Sequence, residues 1–542
     1  MSSPKPAAAH LPQSEGRQPS GATTPSSLPS PSPLPLMQRL LHHPWWSLAL
    51  AALALLVTLP YRPVALPDEG RYVGVAAMMW HSGDWLTPHI NGLPYFHKPP
   101  LFYWLAGLSF GLSGENAIGA RVVPWLAALA AMASLTQLIR RHLGDKPGEL
   151  GPSAAAWALI FMVAQPLWHL GSQFANLDML VASCISIAIC SLASHAMKPS
   201  TRLRSLGFAA MALGVLAKGL IGVVLPLLVL GVWLFWAQGW RSVLQLLWWR
   251  GWVLFALVGL PWFLLMEQHN PDFFHYFFVV HHFNRYASDG FNNVMPAWFY
   301  PGVLIIMTLP WAPVWLWLMP QRRTRRNALG QLALVWLLAI TLFFTLPSSK
   351  LLGYILPVGP ALALLIAPQL AAWQLNARGW LQRLPGLLTL GGVVLTIGML
   401  IGIRMVDTKS NVSLVEGIQV QWQPGDALVF ENQFAFDVPL LLRRTEPVPI
   451  VMNNPFEPQK YDSWRREIVE AAEFNHAKAE QILLSPQAWA QRRCAAPRTW
   501  IVVDNSAEEV LIPERQGLPV AASSPRLNAF LWVARDQCNG QP

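Results

Sequence analysis

The amino-acid sequence predicts a polytopic α-helical membrane protein that ends in a small α/β domain. Of its 542 residues, 53% are hydrophobic and only 12% are charged, about half the charged share of an ordinary soluble protein. The mean hydropathy is +0.35. Apolar runs recur along the chain, each near the roughly 17–25 residues that cross a bilayer. This composition excludes a disordered chain, a coiled coil and an ordinary cytosolic enzyme.

The composition divides the chain into three parts. Residues 1–40 are rich in Ser, Pro and Ala and cannot bury a core, so we predict a disordered cytoplasmic tail. Residues 41–403 hold the apolar runs, from which we predict about 11–13 transmembrane helices. Residues 404–542 alternate short apolar runs with one helical stretch, YDSWRREIVEAAEFNHAKAE, which is typical of an α/β domain. After the first span, WWSLALAALALLVTLP, the runs lie near 117–139, 153–168, 178–197, 206–217, 219–237, 251–266, 298–319, 328–346, 355–373 and 384–403.

Lysine and arginine predict the orientation, because cytoplasmic loops of membrane proteins are enriched in both. With the N-terminus inside, the basic clusters all fall in inside loops, and the C-terminal domain lies outside. The net charge of +10 then reflects membrane topology, and no basic, aromatic-rich soluble domain suggests a nucleic-acid partner. The inside loops hold Arg140, Arg141, Lys146, Lys198, Arg202, Arg204, Arg241, Arg250, Arg322, Arg323, Arg325, Arg326, Arg378 and Arg383.

The first outside loop, residues 61–115, is much longer than a connection between two helices requires. It contains LPDEGRY directly after the first span and LPYFHKPPLFYW further on. Asp68 is the predicted N-cap of a helix. The plain alternative for Asp68 and Glu69 is a solvated helix cap, but acidic residues beside a bilayer are costly unless they have a function. A further acid, Asp178, begins another span at the same predicted depth.

Three lysines lie at the outer level, each beside Gly or Pro. They are Lys98 in HKPP, Lys218 in LAKGL and Lys350 in PSSKLLGYILP. Each can be explained singly as a side chain that snorkels to the interface. Together with Arg71 and the two acids they predict a mixed-charge pocket, in which the bases suit a phosphate and an acid suits an acceptor hydroxyl.

An aromatic segment, HNPDFFHYFFVVHHFNRY, occupies another outside loop at residues 269–286. It is predicted to form either a groove wall for a lipid tail or an interfacial aromatic belt. His281 and His282 are candidate metal ligands, although adjacent residues on a helix face different ways.

These motifs resemble the ArnT-like branch of the protein O-mannosyltransferase superfamily over roughly residues 60–375. The resemblance rests on PDEGRY, GDWLTPHINGLPYFHKPPLFYWL, NPDFFHYFFVVHHFNRY and SSKLLGYILP. It implies the GT-C fold, with many membrane helices, a large first periplasmic loop and a C-terminal periplasmic domain. It also implies an inverting glycosyltransferase of the bacterial inner membrane. The implied donor is an undecaprenyl-phosphate sugar, such as 4-amino-4-deoxy-L-arabinose, and the implied acceptor is lipid A or another envelope glycan.

The resemblance also implies roles for individual residues. Asp68 matches the catalytic acid, with Glu69 beside it, and Asp178 resembles a second acid. The remaining positions resemble those that hold the donor phosphate. They are Arg71, Tyr72, Tyr95, Lys98, Lys218, Lys350 and Tyr354.

One position departs from the family pattern. The loop usually reads EKPP, and here His97 replaces the acid. In some relatives that acid shares a metal with a histidine of the aromatic segment, which His282 matches. Two alternatives follow. His97 and His282 could hold a zinc ion, since imidazole is a good zinc ligand, or the metal site could be lost.

Three further questions remain open at the sequence level. A protein acceptor, as in O-mannosylation, would use the same donor chemistry. A lipid or sugar transporter would place its charges near the middle of the bilayer, whereas these lie at the outer ends of the spans. Cys494 and Cys538 could form a disulfide if the C-terminal domain is periplasmic.

Overall fold

The computed structural model describes residues 43–146, 149–284, 293–406, 409–460 and 463–534. The predicted tail, residues 1–40, and Cys538 lie outside these ranges. A bundle of helices comes first, and a domain of mixed helices and strands follows it. The longer bundle helices are Pro44–Val57, Asp68–Ser82, Leu101–Ser113, Ala117–Leu143, Leu150–Ala164, Pro166–Ser172, Leu177–Met197, Thr201–Lys218, Ile221–Gln238, Trp249–Gly259, Pro261–His269, Phe299–Met307, Ala312–Leu318, Ala328–Thr345, Gly359–Asn376 and Leu384–Met405. Trp240–Val243 and Arg322–Arg326 are single helical turns, and His275–Asn284 is a π-helix.

Six helices of the described residues are long and apolar enough to cross a membrane, and three bent helix pairs raise the number to nine if each pair is one span. This is fewer than the 11–13 spans predicted, because several apolar runs are broken. Leu150–Ala164 meets its successor at 70°, and Phe299–Met307 turns by 118° into the helix that follows. Thr201–Lys218 carries basic side chains in its first turn and at its last residue, and two apolar helices, Trp45–Val57 and Leu101–Ser113, are short.

Side-chain caps set the starts of two helices of the bundle. Asn116 accepts a hydrogen bond from Gly119 N and begins the helix Ala117–Leu143. Asn176 accepts one from Asp178 N at 2.9 Å and begins Leu177–Met197, the most completely buried of the candidate spans. These caps satisfy backbone N–H groups that a helix start leaves unpaired. They therefore fix where Asp178 enters the bundle.

The C-terminal domain contains a mixed six-stranded sheet with helices around it. With the strands numbered along the chain and bounded as given below, the strand order is β5-β4-β3-β6-β8-β7. The first four strands in that order pair in parallel, and β8 pairs antiparallel with both β6 and β7. The strands are β3 Ala427–Glu431, β4 Ile450–Val451, β5 Leu483–Leu484, β6 Arg498–Asp504, β7 Val520–Ser523 and β8 Leu527–Val533; β1 His89–Ile90 and β2 Leu93–Pro94 form a separate hairpin in the first loop. The domain's helices are Val412–Gln421, Asp437–Leu441, Ser463–Ala472, His476–Ile482 and Pro486–Arg492.

The C-terminal domain packs directly on the first loop. Asn91 is buried, and its side chain exchanges two hydrogen bonds of 2.8 Å with the backbone of Val448. Gly70 lies so close to the domain that a Cβ there would approach the backbone of Asp437 to 3.1 Å. These contacts join residues far apart in sequence. Through them the C-terminal domain covers one side of the Asp68–Ser82 helix. Cys494 takes part in a disulfide.

Candidate functional site

The helix Asp68–Ser82, which we call the juxtamembrane helix, carries the first group of candidate residues. Its N-cap is Pro67, which makes Asp68 the first helical residue. The predicted N-cap at Asp68 was therefore wrong by one position. Gly83, with φ of 70°, ends the helix in the left-handed region that glycine adopts without strain.

Glu69 points into the protein and is completely buried. Its carboxylate accepts hydrogen bonds from Arg62 at 2.5 and 2.9 Å and from Arg121 at 3.0 Å. It also accepts from the backbone N–H groups of Ala65 and Ala175 at 2.9 and 2.8 Å. Burial raises the pKa of Glu69, but the two guanidinium groups outweigh burial and lower it to about 2. Both carboxylate oxygens are thus occupied by protein groups.

Asp68 points the other way and is accessible, with 37% of its side chain exposed. Its carboxylate accepts a hydrogen bond of 2.5 Å from Nη2 of Arg71. The same nitrogen lies 3.1 Å from the Tyr72 hydroxyl, and the Arg71 guanidinium stacks over the Tyr72 ring at 4.7 Å. The first turn of the juxtamembrane helix therefore presents an acid and a buried cation side by side.

Asp178 and Lys218 form a second group, joined by an ion pair. The Lys218 ammonium lies 4.4 Å above the centre of the Tyr354 ring, a cation–π geometry. Lys218 is also within electrostatic range of Asp68. Asp178, Lys218 and Tyr354 line a small cavity, together with Phe344 and Gly353. The structure thus places the Asp178–Lys218 pair and Tyr354 within electrostatic range of Asp68, the partner of Arg71.

The side chain of Lys350 binds backbone carbonyl groups instead of the residues of these two groups. It is buried, and its ammonium donates hydrogen bonds to the carbonyls of Met295, Pro347 and Ser348 at 2.8, 2.6 and 3.4 Å. Lysine has three donor hydrogens, so these carbonyls account for all of them. Within the described part of the chain, Lys350 makes no hydrogen bond to the other candidate residues.

The third group joins the HKPP loop to the C-terminal domain. Glu467 and Glu470 lie on the helix Ser463–Ala472, which we call the capping helix. Glu467 forms an ion pair with Arg71, and its other oxygen accepts a hydrogen bond of 3.2 Å from the Tyr95 hydroxyl. Glu470 lies 3.3 Å from Nε2 of His97. Sequence reasoning missed both acids, because their three-residue spacing shows only that they share a helix face.

The charges of these two acids are stabilised by their surroundings. Burial raises the pKa of Glu467, but Arg71, His97 and Lys98 outweigh burial and hold the pKa below its usual value. For Glu470, burial is outweighed in the same way by His97 and Arg466, and the pKa is again lowered. Both groups are therefore carboxylates at neutral pH, and Lys98 lies near enough to Glu467 to contribute.

Only one member of the predicted zinc pair, His97, lies among the described side chains. His97 is buried between Glu470 and the Tyr276 hydroxyl, which lies 2.8 Å from its Nε2. The side chain of His282 lies outside the described part. Among the residues that the structure describes, no three His, Cys, Asp or Glu side chains form a group that could hold a metal ion. The described residues therefore do not test the pair of His97 and His282, and no step below is assigned to a metal.

Known proteins that resemble this chain in sequence identify its family. The family model for dolichyl-phosphate-mannose-protein mannosyltransferases matches residues 61–277. An undecaprenyl phosphate-α-4-amino-4-deoxy-L-arabinose arabinosyl transferase of Pseudomonas fluorescens is 30% identical over 70% of this chain and 70% of its own length. The chain belongs to this transferase family. The family resemblance predicted from the sequence motifs is thereby confirmed.

Other members of the transferase family match over a smaller share of their length. The relatives from Shewanella sediminis and Pseudomonas aeruginosa are 31% and 32% identical over 60% and 66% of this chain. The chain spans 59% and 65% of those relatives' own lengths.

Solved structures show the fold. A crystal structure of ArnT from Cupriavidus metallidurans bound to undecaprenyl phosphate matches with a TM-score of 0.75 and 24% identity, over 90% of this chain and 97% of that one. The archaeal oligosaccharyltransferase AglB of Archaeoglobus fulgidus matches with a TM-score of 0.55 and 12% identity, over 87% of this chain and 70% of that one. The predicted fold class, a GT-C-type membrane protein with a C-terminal α/β domain, is confirmed.

The close approach of Asp178 to Gly353 predicts that one methyl group added at Gly353 disturbs the cavity. A Cβ at Gly353 would overlap the carboxylate of Asp178, so Gly353→Ala should push Asp178 out of its pair with Lys218. We expect the glycosyl transfer proposed below to fall at least tenfold with normal membrane insertion. Gly398→Ala is the matched control, because a Cβ there meets nothing within 4 Å. Transfer by Gly353→Ala equal to that of the control would show that the Asp178–Lys218 pair is not part of the working site.

Proposed function

We propose that this protein is a glycosyltransferase of the bacterial inner membrane. It moves 4-amino-4-deoxy-L-arabinose from undecaprenyl phosphate to lipid A or a related envelope acceptor at the periplasmic face. The observation that supports this best is the convergence of Asp68, Arg71, Asp178 and Lys218 in a member of the arabinosyl transferase family. Relatives carry that donor sugar and lipid carrier in their names.

The proposed reaction inverts the configuration at the anomeric carbon of the sugar. The acceptor oxygen attacks this carbon from the face opposite the phosphate. The bond to the phosphate oxygen breaks, and undecaprenyl phosphate leaves with the electron pair. Negative charge therefore grows on the leaving phosphate, where Arg71, Lys98 and Lys218 stabilise it electrostatically.

Asp68 is proposed to act on the acceptor. It is the accessible acid of the pair, and Arg71 holds its carboxylate in place. With a hydroxyl acceptor, Asp68 takes the proton as a general base. With a phosphate acceptor, which is already an anion, Asp68 orients the acceptor or the sugar instead. Tyr72, Tyr95 and Tyr354 are proposed to complete the donor site beside the cations.

The structure favours different roles for two of the predicted site residues. Glu69 is proposed to position the juxtamembrane helix, because protein groups occupy both of its oxygens. Lys350 is proposed to hold the turn before Leu352–Val358, the 3-10 helix that carries Tyr354, through its three carbonyl contacts. Neither group is assigned a contact with the substrate. A metal at His97 and His282 stays a sequence prediction.

The substrate is tested by mass spectrometry of lipid A from cells with and without the protein. We expect a pentosamine-sized addition that is lost on deletion and lost with Asp68→Asn, which keeps the shape of the side chain but cannot accept a proton. Asp145→Asn is the matched control, because Asp145 is exposed and pairs only with Arg140 among the described residues.

The outcomes separate the candidate functions. A different sugar mass would keep the mechanism and change the donor. Unchanged lipid A with labelled proteins would favour the O-mannosyltransferase alternative. Full modification by Asp68→Asn would contradict the role proposed for Asp68.

We also propose that the N-terminus is cytoplasmic and the C-terminal domain periplasmic, on the strength of the basic inside loops. Two exposed positions test this with a membrane-impermeant maleimide on intact spheroplasts. Val420→Cys, in the C-terminal domain, should be labelled above the background of the unmodified chain. Arg325→Cys, in the turn Arg322–Arg326, should be labelled only after permeabilisation. The reverse pattern would contradict the orientation.

A further inference from the structure

Glu467 of the C-terminal domain lies among the residues proposed to bind the donor phosphate. Its carboxylate forms an ion pair with Arg71 and accepts a hydrogen bond of 3.2 Å from the Tyr95 hydroxyl. The ammonium of Lys98 acts on the same carboxylate electrostatically. Three of the proposed phosphate-binding side chains therefore converge on one acidic group of the protein itself.

This arrangement leaves Arg71 with more negative charge than it can balance alone. Nη1 faces Glu467 and Nη2 faces Asp68, so one guanidinium lies between two carboxylates. Carboxylate and phosphate oxygens make the same charge-assisted contacts with arginine. A phosphodiester that approaches Arg71 meets two like charges in a buried region, where electrostatic repulsion is strong. One carboxylate must give up its position for the phosphate to bind Arg71 fully.

Glu467 has other polar partners within reach of its carboxylate. Its Oε2 is 3.9 Å from Nδ1 of His97, and Lys98 is close by. The capping helix keeps its own attachment while Glu467 moves, because Glu470 contacts His97 and Phe474 packs on Phe96 at 4.4 Å. A change of the Glu467 side chain alone would therefore uncover Nη1 of Arg71.

We propose that Glu467 is a donor-site residue that the C-terminal domain supplies, and that it occupies the anion position on Arg71 and Tyr95 until the donor phosphate takes it. The proposal rests on the proposed function, in which Arg71 binds that phosphate. The carboxylate keeps the buried guanidinium paired in the empty site. It sets donor affinity by competition and makes donor binding depend on a side chain of the soluble domain.

The test measures binding of undecaprenyl phosphate to the purified full-length protein by native mass spectrometry. Glu467→Gln keeps the shape and removes the competing charge, so we expect binding to tighten about tenfold, which corresponds to about 1.4 kcal/mol. Glu467→Asp keeps the charge but draws it back by one methylene, and it should tighten binding by less. Glu473→Gln is the matched control, because it removes the same charge from an exposed position just beyond the capping helix, and it should leave binding within twofold of wild type. Arg71→Gln should weaken binding at least tenfold.

The outcomes separate this proposal from the function on which it rests. Unchanged or weaker binding by both Glu467 variants, with Arg71→Gln still defective, would overturn the competition and leave the donor site standing. Equal binding by wild type and Arg71→Gln would overturn the donor site itself. Tightening by Glu473→Gln as large as by Glu467→Gln would show a general charge effect and also overturn the proposal. Thermal unfolding of each variant excludes loss of the fold as the cause.

Discussion

The buried carboxylate of Glu69 is the interaction on which the rest of the site depends. It joins Arg62 in the first loop, Arg121 in a membrane helix and the backbone of Ala175, just before the helix that carries Asp178. A buried charge is stable only when its partners are complete, and removal of one member costs about 3–5 kcal/mol. The cluster therefore holds together segments that are distant in sequence. It also turns Asp68 and Arg71, its neighbours on the same helix, toward the opposite side.

The site is consequently built from two kinds of element. The bundle supplies the ion pair of Asp178 and Lys218 beside Tyr354. The C-terminal domain supplies the part proposed to respond to the donor, because Glu467 reaches Arg71 from the capping helix. Buried ionisable groups of this density are typical of functional sites. The soluble domain is thus a component of the site as well as a neighbour of it.

Local patterns were enough to predict the fold class and to select most of the charged residues of the candidate site, because each segment carries its own hydropathy and charge. These patterns could not show which way each side chain points. Asp68 and Glu69 are adjacent, yet one is accessible and the other completely buried, and only packing against Arg121 decides between them. Lys350 has the same local signature as Lys218 but binds backbone carbonyls. Glu467 and Glu470 lie in a segment almost four hundred residues from Arg71, so no pattern in the sequence joins them to the site.

The most direct test compares Glu69→Gln with Asp68→Asn in protein reconstituted in lipid, with synthetic donor and lipid A, by transfer rate and by hydrogen exchange. Glu69→Gln should lower transfer at least a hundredfold and speed exchange around the start of the juxtamembrane helix, because two buried guanidinium groups lose their counter-charge. Asp68→Asn should abolish transfer without a change in exchange. Near-normal transfer by Glu69→Gln, with the helix still protected, would contradict the view that this buried carboxylate organises the site.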